Sequence, residues 1–486
     1  MSIVVKQSFF NLITIGIAFI IGAVNTLYLY PTFLGSKLQG LVIALLAISN
    51  LIQPFLSFGT QHAVIRFYSR YKSKKGKDAV LTLSLIIPFI ITIIVIPIFY
   101  FYYEQIKNVL FQSENTLSQY AYVIIFIAVS TSFFEIFYSW VRVKLKSVFG
   151  NFLKELYPRL LITSLLISYT LDFLNFESFI LFLIYGYYLR LLIVIIYSFI
   201  INKPKINFSF KKDFKEIFKY SFLILLSGAA SSIILDIDKS MLSSILTIEN
   251  VAYYSVAIFI AAVIEIPGRA MFQILSPIVA EVINKNNKKK LKYLLKKSST
   301  NLVLISSLFF LIINLNLNDF YEMLNQEGYS KGIPIVIVIS FAKLYSMSIG
   351  CVNSIITNSK YYYFIFWFSI ISSVLAVVLN LYLIQDYGII GAAYATFLVI
   401  LIMNSLKLYL VKIKFKIHPY SYDTIKIAIL TTFIYVIFLN LKLTFEPVIS
   451  IAVKSTLILI LYTLAAYIFK LSNDVNIFFD KFNKNW

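Results

Sequence analysis

The chain has 486 residues, of which 60% are hydrophobic and 13% are charged, and its formal net charge is +21. With a mean hydropathy of +0.84, this apolar content exceeds what one globular core can bury, so the composition excludes a soluble or disordered chain and predicts a membrane protein. A single cysteine, Cys351, excludes an internal disulfide scaffold.

Long apolar stretches recur along the whole chain, and short polar clusters separate them. A membrane-spanning helix needs about 20 apolar residues. Fourteen stretches are predicted to span: 8–30, 38–68, 79–103, 117–141, 156–171, 178–201, 218–242, 250–283, 298–317, 332–358, 361–384, 389–411, 424–441 and 448–469. The first stretch lacks the small-residue cleavage pattern of a signal peptide, so we expect it to remain in the protein.

Basic and acidic residues alternate between successive loops. Lysines and arginines concentrate in residues 66–77, 142–154, 203–219 and 285–290. The intervening loops carry the acidic residues Glu104, Glu114, Asp172, Glu177, Glu249, Asp319, Glu322, Glu327, Asp386 and Glu446. Because basic loops resist translocation, we expect a multi-pass protein of the cell (inner or plasma) membrane with both termini in the cytoplasm. The positive charge is then mainly a topology signal, and nucleic acid is not an expected partner.

The second and eighth spans share two features that indicate an internal repeat. Each is longer than an upright crossing needs, and each contains an internal proline, Pro54 or Pro267, which predicts a kink or a projecting end. This parallel predicts two six-helix bundles, residues 1–205 and 206–422. Residues 423–486 would add a further helix pair and a cytoplasmic tail.

The sequence lacks the sets of residues that several kinds of chemistry require. Gly76-Lys77 is followed by Asp78, so the nearest approach to a phosphate-binding loop is incomplete. Two histidines, His62 and His418, and one cysteine are too few for a zinc site. The external loops are short, leaving little room for a soluble active site. We therefore expect no metal, no cofactor and no enzymatic activity.

A small set of ionisable residues falls inside the predicted spans. Each is a functional candidate, because a charge at the bilayer centre costs at least about 2.5–3.5 kcal/mol. The set consists of Glu135, Arg190, Asp236, Asp238, Lys239, Glu265, Arg269, Lys343 and Lys454. Lys454 is close enough to the external end to extend its ammonium to the interface. For Glu265 with Arg269, and for Asp236 with Lys239, helical spacing leaves both mutual neutralisation and ligand contact open.

Arg190 and Lys343 have no acidic residue three or four positions away on their own helices. Arg190 could form a bridge with Glu135, whereas the only obvious partners for Lys343 are Asp236 and Asp238. For both cations we favour a water-filled cavity over a dry bridge. A cavity containing Arg190, Arg269 and Lys343 would attract an anion, and guanidinium groups bind phosphate in a bidentate manner.

Three sequence blocks resemble the polysaccharide and O-antigen flippases of the multidrug, oligosaccharidyl-lipid and polysaccharide (MOP) exporter superfamily. Residues 33–67, 238–282 and 379–398 carry the resemblance. The matching positions are Gly35, Gly40, Pro54, Gly59 and Arg66 in the first block, Asp238, Tyr254, Ala257, Pro267, Pro277 and Glu281 in the second, and Asn380, Tyr387, Gly388, Gly391, Ala392 and Ala393 in the third.

This resemblance implies an all-α polytopic membrane protein with two six-helix bundles in a V around a central cavity. It implies that the protein flips an undecaprenyl-pyrophosphate-linked oligosaccharide to the outer leaflet, working among membrane lipids and with other polysaccharide assembly proteins as possible partners. The cavity cations Arg190, Arg269, Lys343 and Lys239 would then bind the substrate. The carboxylates Asp236, Asp238, Glu135 and Glu265 are candidates for proton or sodium coupling.

The sequence also departs from related families. Lipid II flippases of the superfamily usually carry arginine in the first span, where this chain offers Asn25, and drug exporters usually have twelve spans. Ala252 stands where relatives commonly have glycine. A lipid II flippase, a drug exporter and, less favoured, a membrane glycan polymerase or ligase remain the alternative functions.

Overall fold

A computed structural model describes residues 3–71, 73–110, 118–144, 146–202, 205–207, 214–439, 441 and 443–472. Every regular element within these ranges is helical. A few residues of the predicted loops and tail lie outside the described residues, namely Lys72, Glu114, Lys203, Lys211, Lys212 and residues 473–486.

Twenty-one α-helices follow one another along the described residues. They are α1 (Ile3–Val24), α2 (Tyr30–Phe33), α3 (Gly35–Ser57), α4 (Thr60–Phe67), α5 (Lys74–Phe101), α6 (Tyr103–Leu110), α7 (Tyr122–Arg142), α8 (Ser147–Asn151), α9 (Tyr157–Thr170), α10 (Phe176–Asn202), α11 (Phe214–Ile245), α12 (Glu249–Ala262), α13 (Ile266–Asn284), α14 (Lys288–Leu315), α15 (Leu317–Leu324), α16 (Ile333–Ser348), α17 (Val352–Thr357), α18 (Tyr363–Tyr387), α19 (Ile389–Phe415), α20 (Tyr422–Leu439) and α21 (Pro447–Ile468). Short π-helices cover Asn25–Leu29 and Phe152–Leu156, and 3-10 turns cover Tyr68–Arg70, Gln119–Ala121, Val263–Glu265 and Tyr329–Gly332.

Thirteen helical stretches of the described chain are long and apolar enough to cross a membrane. The remaining predicted span, the fifth (residues 156–171), is present as α9, whose 14 residues are extended at the N-terminal end by the π-helix Phe152–Leu156. The prediction of an all-α polytopic membrane protein is therefore confirmed.

The second and eighth spans, which contain Pro54 and Pro267, are both interrupted. Helix α3 ends at Ser57, soon after Pro54. Phe58 follows in the left-handed conformation (φ 53°), and α4 begins at Thr60 as a separate helix. The eighth span consists of α12, the 3-10 turn Val263–Glu265 and α13, with Pro267 in the first turn of α13. Proline tolerates this position because the first amides of a helix have no acceptor within it.

The helices divide into two compact units, Met1–Ser255 and Val256–Trp486. In the first unit, α3 packs along α11 and α7, and a buried cluster around Phe67, Leu81, Phe134 and Trp140 joins α4, α5 and α7. The division into residues 1–205, 206–422 and 423–486 rests on the sequence repeat and stays a prediction.

Close approach in the first unit depends on glycine at position 40. A Cβ atom on Gly40 would lie 2.1 Å from the carbonyl oxygen of Ile248, in the turn between α11 and α12. Only a residue without a side chain permits this contact between two backbones. The glycine therefore sets the distance between α3 and the end of α11.

Two buried clusters join helices among the described residues of the second unit. One joins α14, α20 and α21 around Leu311, Ile434 and Tyr462, and the other joins α13, α14, α17 and α19 around Val279 and Val411. The last two helices thus pack onto α14. Many of their remaining side chains are large, apolar and exposed, as expected of helices that face lipid.

Candidate functional site

Asp236 and Lys239 form an ion pair on α11, one helical turn apart. The Lys239 ammonium lies 2.7 Å from one carboxylate oxygen of Asp236. The Asn50 amide on α3 donates a hydrogen bond of 3.3 Å to the other oxygen. Asp236 is therefore bound from two helices, and mutual neutralisation, one of the two possibilities left open by the sequence, is observed for this pair.

Asp238 lies on the same helix but has a different partner. Its carboxylate accepts a hydrogen bond of 2.5 Å from the Tyr254 hydroxyl on α12. Asp238 is 7% exposed and Tyr254 is 1% exposed, so this bond is shielded from solvent. A short hydrogen bond from a hydroxyl to an ionised carboxylate is among the stronger kinds.

Glu135 pairs with a residue that the sequence did not suggest. Its carboxylate lies 2.6 Å from the Lys154 ammonium, in the π-helix Phe152–Leu156. Among the described residues, no carboxylate lies within 4.0 Å of Arg190. The possible bridge between Arg190 and Glu135 is therefore not formed.

Arg190 is instead held by aromatic rings. Its guanidinium carbon lies 4.4 Å from the ring centroid of Phe134 and 4.6 Å from that of Tyr187, and Nη2 donates to the Thr131 hydroxyl at 3.2 Å. The Nε atom has no hydrogen-bond partner among the described residues. Arg190 is 4% exposed, so this environment is neither the dry ion pair nor the open cavity considered from the sequence. Contacts with two rings offset part of the cost of burying the cation.

In the second unit, three charged residues meet at the break between α12 and α13. Lys343 on α16 places its ammonium 3.1 Å from Glu265. The Arg269 guanidinium lies 4.0 Å from the other oxygen of the same carboxylate. Lys343 thus has a partner within its own unit, contrary to the expectation that only Asp236 and Asp238 could serve. Because Glu265 ends a 3-10 turn, its side chain reaches both α13 and α16.

A polar cavity of about 320 Å³ adjoins this charged group. Glu265 and Arg269 line it together with Lys407, Asn353 and Asn404. With Lys343 behind Glu265, the group contains three cations and one carboxylate, a formal net charge of +2. Its guanidinium, ammonium and amide groups are donors suited to an anion with several oxygens.

The shape of this cavity depends on the break between α16 and α17. Gly350 lies in that break with φ +60°, and a Cβ atom there would lie 2.7 Å from Ser298 Oγ and 2.8 Å from the Ser299 amide of α14. The left-handed backbone and the close packing both favour glycine. The break brings Asn353 onto the cavity wall.

Lys454 has an acidic partner from another helix. The residue is 7% exposed, and its ammonium lies 2.8 Å from Asp319, which also accepts a hydrogen bond from Ser450. Asp319 belongs to a loop predicted to be external, and the expectation that Lys454 extends to the interface stays a prediction. A carboxylate from α15 neutralises the ammonium, which can then remain buried.

The structure thus brings the predicted residues together in separate groups. Asp236 with Lys239, and Glu265 with Arg269 and Lys343, are contact groups, whereas Glu135, Asp238 and Arg190 each contact residues outside the predicted set. The described residues contain no group of three or more histidine, cysteine or acidic side chains that could hold a metal ion.

Lys407 is the site residue that sequence reasoning missed. It lies inside an apolar span, four residues before the predicted end at 411, where the charge pattern groups it with the cytoplasmic lysines. Its spacing from Asn404, one turn earlier on α19, was the available signal. Asn50, Lys154, Tyr254 and Asp319 were missed for another reason, because each binds its partner across helices.

Solved structures share this fold at low sequence identity. A lipid II flippase, MurJ, in an inward closed conformation is 18% identical with a TM-score of 0.73, and the match covers 94% of this chain and 98% of that chain. A multidrug resistance MATE family transporter of the MOP superfamily, in an inward-facing conformation, is 13% identical with a TM-score of 0.61, covering 82% and 94%. A MATE protein in the straight conformation is 14% identical with a TM-score of 0.52, covering 85% and 96%. These identities establish the fold alone.

Sequence comparison identifies the family. Among curated proteins, no sequence matches this chain. Residues 4–282, more than half of the chain, match the family described as Polysaccharide biosynthesis protein. The family resemblance is thereby confirmed; the match includes the first two sequence blocks, and the third, residues 379–398, lies outside it. This multi-pass membrane protein belongs to the polysaccharide biosynthesis protein family and has the fold of MOP superfamily transporters.

Proposed function

We propose that the protein is a flippase for undecaprenyl-pyrophosphate-linked oligosaccharides. It would move these units from the cytoplasmic to the outer leaflet by alternating access, for the synthesis of surface polysaccharide. The family and the transporter fold support transport rather than catalysis. The name of the MurJ relative, a lipid II flippase, supports a lipid-linked substrate.

The observation that carries the proposal is the cationic cavity of the second unit. Arg269 and Lys407 line it, and Lys343 neutralises Glu265, so the carboxylate does not cancel both lining cations. Amide groups of Asn353 and Asn404 add hydrogen-bond donors. A pyrophosphate carries several anionic oxygens, and such a mixture of guanidinium, ammonium and amide groups suits it.

The remaining cations are assigned lesser roles in this proposal. Lys239 is neutralised by Asp236, so its contact with substrate requires that the pair open. Arg190 is shielded by Phe134 and Tyr187 and would reach substrate only in another conformation of the transport cycle. Both remain proposed substrate contacts from the sequence analysis.

Four carboxylates are proposed carriers of the coupling proton or sodium ion. Asp238 is the most favourable, because its hydrogen bond from Tyr254 connects α11 to α12, so a change in its charge would alter a contact between helices. Asp236, Glu135 and Glu265 each hold a cationic partner, Lys239, Lys154 or Lys343. Protonation of any of these would release that cation.

We place the protein in the cell membrane with both termini in the cytoplasm, from the alternation of basic and acidic loops. Proteins that assemble polysaccharide on the outer face are its proposed partners. The cationic cavity favours this function over a drug or small-cation exporter, for which an acid-dominated cavity is expected.

Charge removal at the cavity tests the proposal. Arg269→Gln and Lys407→Gln should each abolish surface polysaccharide while membrane abundance stays normal, and Arg190→Gln and Lys343→Gln test the other two cations. Lys412→Gln is the matched control, because it removes the same charge from an exposed position on α19 outside the cavity. Normal surface polysaccharide in the Arg269 and Lys407 variants would refute the cavity as the binding site.

The alternatives predict different defects in a deletion strain. Loss of a flippase should trap complete lipid-linked units on the cytoplasmic side, whereas loss of a polymerase or ligase should leave single units on the outer face. Loss of a drug exporter should change drug susceptibility with normal surface glycan, and loss of a lipid II flippase should stop peptidoglycan synthesis.

A further inference from the structure

A second cationic cavity lies apart from the proposed substrate site. It has a volume of about 400 Å³ and lies where α14 begins, α20 begins and α21 has just ended. Its charged lining residues are Lys289, Lys292, Lys296, Lys297, Lys470 and the single carboxylate of Asp423. Hydroxyl and amide side chains complete the wall.

Four of the five lysines that line the cavity lack a carboxylate partner among the described residues. Asp423 forms its ion pair with Lys426, at 3.7 Å, outside the cavity lining. Among the described residues, no carboxylate lies within 4.0 Å of Lys289, Lys292, Lys296 or Lys470. Like charges three or four residues apart repel one another on a helix face. An anion in the cavity would relieve this repulsion.

The position of the lysines on α14 adds to this cost. Three of them, Lys289, Lys292 and Lys296, fall in the first three turns of α14, and its first turn contains no acidic residue. The N-terminal end of a helix carries a partial positive charge and disfavours cations. A bound anion would be stabilised by the lysines and by the helix end together.

The far wall of the cavity is fixed by hydrogen bonds. The Ser472 hydroxyl donates to the Asn301 amide oxygen at 2.8 Å, and the Thr300 and Ser421 hydroxyls lie 3.3 Å apart. These bonds tie the end of α21 and the start of α20 to α14. The lysines therefore surround a cavity whose walls are linked, rather than projecting from a single free helix.

An apolar groove continues from the cavity. Leu471 lines both, and the groove, of about 510 Å³, runs between α20 and α21 past Phe433, Ile437 and Leu461. It extends from Lys426 to Phe438 on α20, a length of about 18 Å at 1.5 Å per residue. A cationic cavity joined to an apolar groove fits a molecule with an anionic head and a hydrocarbon chain.

We propose that the cavity binds the phosphate of an anionic membrane phospholipid, with an acyl chain in the adjoining groove. Basic pockets between membrane helices are suited to such headgroups. This lipid is distinct from the transported substrate. Its contacts join α14, α20 and α21, so its binding would stabilise the second unit and make the stability of the protein depend on lipid composition.

Binding to the purified full-length protein tests this proposal without any transport substrate. Phosphatidylglycerol should raise the apparent unfolding temperature and remain bound in native mass spectrometry, whereas phosphatidylcholine should do neither. Inorganic phosphate and pyrophosphate, added alone, separate a lipid from a soluble anion. Equal stabilisation by these salts or by phosphatidylcholine would overturn the proposal.

A pair of double variants with equal charge loss locates the site. The double variant Lys292→Gln with Lys296→Gln should weaken phosphatidylglycerol binding by roughly 30-fold, because each lysine near an anionic lipid increases the binding constant about five-fold. Lys288→Gln with Lys290→Gln removes two charges from the same helix start but outside the cavity lining, and should bind as the unaltered protein does. Equal losses in the two double variants would overturn the site.

Two further variants guard against misfolding. Lys292→Arg with Lys296→Arg keeps both charges and should retain binding. Lys470→Gln changes one exposed lysine after the end of α21 and should weaken binding by roughly five-fold. The proposal would be overturned if phosphatidylglycerol binding were unchanged both in Lys470→Gln and in the double variant Lys292→Gln with Lys296→Gln.

Discussion

The Lys343 ammonium lies 3.1 Å from the Glu265 carboxylate, joining the middle of α16 to the turn that separates α12 from α13. Both side chains are about one-fifth exposed. Each charge would be costly alone within a membrane helix, and each relieves the cost of the other. The pair also occupies the carboxylate that would otherwise offset Arg269 and Lys407 in the adjoining cavity.

This pair predicts strong coupling between two substitutions. Glu265→Gln and Lys343→Gln should each destabilise the protein, and the double variant should lose less than the sum, with a coupling free energy of about 0.5–3 kcal/mol. Denaturation of the purified variants in detergent measures the cycle. The exposed pair of Glu281, on α13, and Lys285, the residue after that helix, is the matched control and should show no measurable coupling. Additive effects for Glu265 and Lys343 would contradict the prediction.

Arg190 predicts a separation of stability from transport. Arg190→Met should leave the unfolding temperature unchanged or raise it, because a buried cation without a carboxylate partner among the described residues is replaced by an apolar side chain of similar length. Surface polysaccharide should nevertheless fall if Arg190 contacts substrate during the cycle. Arg190→Lys keeps the charge but loses the planar contact with Phe134 and Tyr187. Destabilisation by Arg190→Met with normal polysaccharide would assign the residue a purely structural role.

The Asp238 and Tyr254 pair predicts that substitutions of its two members affect different properties, stability for Tyr254 and transport for Asp238. Tyr254→Phe removes one donor from a buried carboxylate and should destabilise the protein by about 1–3 kcal/mol. Asp238→Asn keeps an acceptor for Tyr254 and removes the buried charge, so stability should be retained while coupled transport stops. Thermal unfolding and surface polysaccharide distinguish the two. Tyr253→Phe is the neighbouring control. The Tyr253 hydroxyl lies 3.4 Å from Ser36 Oγ, and its removal should reduce stability less than Tyr254→Phe does.

Gly40 predicts a specific packing defect. Gly40→Ala places a methyl group against the Ile248 carbonyl, which as a backbone group cannot rotate away, and should destabilise the protein by about 1–3 kcal/mol. Gly16→Ala on α1 meets nothing within 4 Å and should be neutral or stabilising. Unfolding temperatures of the two variants test the difference. Equal behaviour would show that the close approach between α3 and the turn after α11 does not limit stability.

Properties that depend on short stretches of sequence were predictable. Apolar length located a helix at each of the fourteen predicted spans, because burial of backbone groups in lipid demands helices of a minimum length. Pro54 and Pro267 marked the two spans that are interrupted, but α5 runs unbroken through Pro88 and Pro97, so an internal proline alone does not decide where a helix ends. The charge alternation between loops indicated an orientation, which stays a prediction.

Charge partners on one helix were also partly predictable. Asp236 with Lys239, and Glu265 with Arg269, follow from spacing of three and four residues, which places side chains on one face. The sequence could not rank these local pairs against partners from other helices. Glu265 in fact lies closer to Lys343 than to Arg269.

Partners across helices were decided by tertiary structure alone. Glu135 binds Lys154 rather than Arg190, Lys454 is buried against Asp319, and Lys407 joins Arg269 on one cavity wall. Hydropathy reports how deeply a residue lies along its own helix and carries no information about rotation around that axis. Rotation is set when apolar side chains of neighbouring helices pack together, and packing therefore determines which buried charges meet and which face a cavity.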